Sequence, residues 1–149
     1  MADACLDLQD RFGVDVNVLL FLLWAAEGGR KVGPDDIRRI REAVEGWTDS
    51  VVAPLRAVRR HLRAPPALVE GDAAESLRGR VKQIELEAER LQQEGLYRSM
   101  PLDGLGEPEP SPKAAARANV QAYAAELGAD FPQPLIDALL AGFRRLGPE

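Results

Sequence analysis

The chain is short of the side chains that most chemistry needs. Its 149 residues include one cysteine and one histidine. A lone Cys5 excludes an internal disulfide and any multi-cysteine metal site. His61 alone cannot build a two-histidine zinc site, and no serine and acid stand out as its partners in a hydrolytic triad. Long apolar runs are missing too. The longest, Val18 to Ala26, has nine residues, where a membrane span needs about 20. The charge balance is acidic, with a net charge of -5, which argues against general nucleic-acid binding, since such domains are normally basic. The start carries Asp3 and Asp7 instead of a basic region, so no signal peptide is expected. Strand signals are also absent: no sustained alternation, and no tight-turn dipeptide between two β-rich runs. These absences point to a soluble, cytoplasmic, all-α protein.

What is present is helical periodicity almost everywhere. Cys5, Leu8 and Phe12 line one face of a first helix that Gly13 should stop. Asp15 is placed to cap the next helix, which is apolar on all sides up to Gly28-Gly29 and therefore has to be wrapped by other helices. Gly33-Pro34-Asp35-Asp36 opens a long helix, with proline and acids suited to a first turn. Its seam runs Ile37, Ile40, Val44, Trp47, Val51, Leu55, Val58, Leu62 and survives Gly46 and Pro54. One helix, or two nearly collinear pieces, is expected from about Asp35 to Arg63, with a kink at Pro54 because proline cannot donate to the carbonyl of Ser50. Ala64-Pro65-Pro66 ends it.

A second seam follows: Ala74, Leu77, Val81, Ile84, Ala88, Leu91, Gly95. It is a coiled-coil-like stripe. The short connection predicts an antiparallel hairpin in which Leu55 meets Val81 and Trp47 meets Ala88. Residues 95–112 are rich in proline and glycine and read as a linker or extended arm. An alanine-rich helix is expected over about Ser111–Leu127. A last amphipathic helix carries Leu135, Ile136, Leu139, Leu140, Phe143 and Leu146, closed by Gly147-Pro148. The expected architecture is one domain of about six helices around the central buried one.

Two clusters could carry function. Arg56, Arg59, Arg60 and Arg63 share a helix face. No acid lies between Val51 and Ala64. In the expected register only Asp72 and Glu75 come near, with Glu85, Glu87 and Glu89 too far along. The arginines could bind a phosphate-bearing ligand, an RNA backbone or an acidic partner, or they could form a solvated face or pair with acids of the last helices such as Glu126 or Asp137. Asp10, Asp15 and Asn17 cluster at the turn around Gly13. They could touch a hard cation, but the longer ligand series of a calcium loop is missing, and capping accounts for Asp15 and Asn17. No metal or cofactor is expected.

Two stretches, Cys5-Leu-Asp-Leu-Gln-Asp through Asp15-Val-Asn-Val-Leu-Leu-Phe-Leu-Leu-Trp24 and Trp47 to Arg60, resemble a small proteobacterial family of uncharacterised all-helical proteins. The resemblance covers about the first 65 residues and implies a helical cytoplasmic protein, with no activity attached. Members of that family carry a further short helical segment with a tryptophan ahead of the Cys5 helix. Here the sequence opens almost at the motif, so the start is either truncated or lacks that helix. In the second case a flank of the buried helix is left for a partner or a second copy to cover.

No convergent acid, base and substrate anchor is visible. Two functions from different classes fit. One is a non-catalytic interaction or adaptor protein, acting on an unknown protein partner or by self-association. The other is a binder of, or enzyme acting on, a phosphorylated or other anionic small molecule through the arginine face.

Overall fold

The computed structural model describes residues 1–143 and is all-α apart from one pair of two-residue strands. The helices are α1 (Ala2–Phe12), α2 (Val16–Glu27), α3 (Pro34–Trp47), α4 (Ala53–His61), α5 (Gly71–Ser99), α6 (Pro112–Glu126) and α7 (Gln133–Phe143). A π-helical turn, Thr48–Val52, joins α3 to α4 without a break, so the described residues form six helical runs. Leu146, Gly147 and Pro148, expected at the end of the last helix, lie outside the described residues.

The chain divides into two compact units. One holds residues 1–41 together with the described residues from 96 onward, and the other is residues 42–95. The first unit is built around α2. Gly13 ends α1 in the left-handed conformation (φ 67°) and returns its N–H to the Gln9 carbonyl. The Asp15 carboxylate then accepts from the N–H groups of Asn17 and Val18 and caps α2. Val18, Leu19, Phe21, Leu22, Ala25 and Ala26 are all fully buried. α2 packs on α6, and α1 on α7. The apolar helix is thus wrapped over most of its surface, and the expectation of burial on every side fails only along Val16, Leu20 and Trp24, which are half-buried.

The stretch expected as a linker or arm carries regular elements and hydrogen-bonded contacts. α5 runs through Gly95 to Ser99, a 3-10 turn follows at Leu102–Gly104, and Glu107–Pro108 pairs antiparallel with Arg30–Lys31. Arg30 donates to the carbonyls of Leu105 (2.6 Å) and Gly106 (3.0 Å). The Asp36 carboxylate accepts from the Gly106 N–H at 2.8 Å. At Gly106 (φ +47°) any Cβ would fall 2.0 Å from the Lys31 carbonyl oxygen, so only glycine allows this approach. Asn119, fully buried, accepts from Val32 N–H and donates to the carbonyls of Leu22 and Arg30. The stretch read from composition as a linker or arm thus makes specific hydrogen bonds with Arg30 and Asp36.

The second unit is a helical hairpin. Trp47 Nε1 donates to the Ala88 carbonyl at 2.9 Å, placing those two residues level, as the expected register has them. Around Pro54 the backbone takes the π turn, in which Ala53 N–H reaches back to Thr48. A proline that cannot donate forces the ladder to be re-routed, and one wide turn absorbs the change.

The facing line of α5 differs from the expected seam. Its buried residues within the unit are Ala74, Glu85, Ala88 and Gln92, while Leu77, Ile84 and Leu91 are 46%, 53% and 43% exposed. The helix is therefore turned so that a polar line looks inward and half of its apolar stripe looks out.

Candidate functional site

The inward polar line of α5 meets the arginines. Arg59 grips Glu85 with a fork, Nε to Oε2 at 2.5 Å and Nη2 to Oε1 at 3.2 Å. Arg56 donates to the same Glu85 (3.1 Å) and to Glu89 (2.8 Å). Glu85 is only 5% exposed. Burial pushes its carboxyl up, but the hydrogen bonds from Arg59 and Arg56 outweigh burial and hold it below the usual carboxylate range. Arg59 is raised in turn, first by its hydrogen bond to Glu85.

The expectation that Glu85 and Glu89 lie too far along is thus corrected. It compared backbone levels alone. Helical side chains lean toward their own N-terminus. In an antiparallel hairpin, Arg59 leans back toward the level of Leu55, and Glu85 leans back toward Val81. Leu55 and Val81 are opposite one another in the expected register, so two long side chains whose backbones are well separated converge there. The backbones of α4 and α5 rarely come within 8 Å, which leaves room for this layer.

The arginine quartet is split. Arg56 and Arg59 are taken up inside the hairpin. Arg60 and Arg63 are exposed and make no hydrogen bond or ion pair among the described residues, although Arg63 is near enough to Glu75 to help lower its pKa, behind Arg78. The acids of the last helices are engaged elsewhere: Glu126 pairs with Arg38, and Asp137 with Arg117. His61 Nδ1 donates to the Ala57 carbonyl one turn back, at 2.7 Å.

At the other cluster, Asp10 is exposed. Asp15 caps α2 through its side chain, while its own N–H donates to the Tyr123 hydroxyl at 3.0 Å. Burial, with the nearby Asp15 charge adding to it, pushes the Tyr123 phenol up to about 12. The three residues are thus split between an exposed face and a capped turn. Among the described residues no three His, Cys, Asp or Glu side chains gather as metal ligands would, and no helix is long and apolar enough to cross a membrane. Burial also raises the Cys5 thiol above its ordinary value, away from the reactive thiolate.

The feature missed in the sequence is the outward line of Leu77, Ile84 and Leu91, with Val58 (48% exposed) and Trp47 (38%) across the hairpin. Arg56 and Arg59 occupy the opposite side of α4 from Val58, just as Glu85 and Glu89 occupy the opposite side of α5 from this line. The hairpin therefore has a charged layer inside and a half-exposed apolar line along one shoulder. The seven-residue spacing of Leu77, Ile84 and Leu91 was the available signal, but it was assigned to the hairpin's own interior.

A family model described as "Protein of unknown function (DUF2390)" matches residues 1–96. The chain belongs to this family. The match takes in α1 to α4 and α5 as far as Leu96, and α6 and α7 lie beyond it. No curated protein and no solved structure matches the chain.

Proposed function

We propose that the chain is a non-catalytic protein–protein interaction or adaptor protein of the bacterial cytoplasm. One observation supports this most: the apolar flank of the hairpin, where Leu77, Ile84 and Leu91 stand half exposed at heptad spacing. Water-exposed leucines in a row are a recognised mark of docking surfaces. The loss of Arg56 and Arg59 to Glu85 and Glu89 supports it further, because it removes half of the candidate anion site. The test is comparative capture from native lysate with wild type and with Leu77→Lys/Leu91→Lys. A specific set of proteins held by the first and released by the second is expected. Equal capture by both would remove this reading.

A second reading keeps Arg60 and Arg63, which project outward from the end of α4, as a small anion-binding pair. It predicts that phosphate or a polyanion raises the wild-type melting temperature through linkage and leaves Arg60→Glu/Arg63→Glu unmoved.

A further inference from the structure

The occupant of the apolar flank can be read from the charges beside it. One step round α5 from Leu77, Ile84 and Leu91 lie Arg80, Glu87 and Glu94, all exposed. This flanking line is positive toward the helix N-terminus and negative toward its C-terminus. We propose that a second copy of this chain docks on it, α5 against α5, antiparallel, with the two-fold axis at Ile84. This rests on the interaction reading above and names its partner.

The antiparallel arrangement is self-complementary. Ile84 meets Ile84 of the second copy, and Leu77 meets Leu91, twice. Arg80 then lies between Glu87 and Glu94 of the other copy. The backward lean that brings Arg59 to Glu85 inside the hairpin brings Arg80 to Glu94 across the axis. Glu87 and Glu94 each already hold an exposed surface pair with Arg90 of their own helix, and a carboxylate has capacity for a second donor. In a parallel two-fold pair the two Arg80–Glu87–Glu94 lines would stand on opposite sides of the seam and could not meet, so this charge match is open to the antiparallel form alone. Such a contact is isologous and closes as a dimer. It would also bury the apolar line that each hairpin turns outward.

The experiment combines sedimentation with single-cysteine crosslinking in a Cys5→Ser background. The expected result is a dimer that Ile84→Cys locks by a disulfide to itself. Leu77→Cys alone should not lock, because its two copies stand on opposite sides of the axis, but mixed with Leu91→Cys it should. Arg80→Glu should weaken dimerisation at least tenfold, and Arg80→Glu/Glu94→Arg should restore most of it. The α5 sites are all exposed, Cys5 is buried, and circular dichroism checks that the background and each variant keep their helix content. A chain that stays monomeric at every concentration overturns the proposal. So does a dimer indifferent to the Ile84 and Arg80 variants. If the chain is monomeric while Leu77→Lys/Leu91→Lys still releases captured proteins, self-association falls and the interaction reading stands. If it is monomeric and capture is unchanged, both fall.

Discussion

The two units solve the same problem by opposite means. The unit around α2 has a dry interior: Phe21, Leu22, Ile37, Val120 and Leu139 are fully buried. Its few buried polar groups, Asn119 above all, are hydrogen-bonded to backbone. The 42–95 hairpin puts an ionised carboxylate and two arginines inside and leaves leucine and isoleucine outside. A buried ion pair replaced by well-packed apolar residues is often no less stable. So the hairpin does not use its sequence in the way that would best stabilise it alone. Residues that would strengthen the interior are presented at the surface instead, which is how an interface differs from a core.

The largest expected effect lies in the dry unit. Leu22→Ala should lower stability by about 3–5 kcal/mol, because Leu22 is fully buried on the enclosed side of α2 and a cavity there has little freedom to collapse. Chemical denaturation measures it. A loss below about 1 kcal/mol would mean that the α2 environment is loosely packed, and the contrast between the units would dissolve.

The hairpin should respond most to Glu85. Glu85→Ala leaves Arg59 and part of Arg56 without their shared acceptor and should cost roughly 2–4 kcal/mol, somewhat below a fully buried pair because both arginines retain some exposure. The acid limb tests the same interaction. The folded-state pKa of Glu85 is depressed below its unfolded value. Its contribution is therefore fully present above the ordinary carboxylate pKa and is lost as pH falls through the folded value. Wild type should lose stability on acidification in that range, and Glu85→Gln should lose less over the same range. Parallel pH profiles for the two proteins would show that the pair adds nothing.

Much of this was legible in the sequence. Gly13, Asp15 and the nine-residue apolar run fixed α1, the cap and α2, because capping chemistry and all-round apolarity are local properties. The Trp47–Ala88 level was legible because both seams keep a 3-4 rhythm. The rotation of α5 was not. Ala74, Val81 and Ala88 belong to both possible faces, and the choice between adding Leu77, Ile84, Leu91 or Arg78, Glu85, Gln92 depends on partners in the other helix. Backbone register alone hid the arginine pairing, because it omits the length and lean of side chains. The structure of 95–112 was hidden for another reason: its anchors, Arg30 and Asp36, lie some 70 residues earlier in the chain.

The smallest expected effect is the most diagnostic. Ile84 and Ala88 belong to the same sequence seam, and a hairpin closed on that seam would bury both. Ile84→Ser would then cost as much as a core truncation, and Ala88→Leu would be costly too through overpacking. The structure separates the two. Ile84 is 53% exposed and Ala88 is 5% exposed beneath Trp47. Under dilute conditions, where association contributes nothing, Ile84→Ser should change stability by no more than about 0.5 kcal/mol, the range of ordinary surface substitutions. Ala88→Leu should cost about 1–3 kcal/mol, since the added methylenes have to displace the indole from its hydrogen bond. With rising protein concentration the two should diverge again. Wild type should gain stability by mass action if the apolar flank is covered by a second copy, and Ile84→Ser should not. A concentration-independent melting temperature in both proteins would leave the exposed stripe without a homotypic partner, while the order of the two substitutions would still decide which way α5 faces.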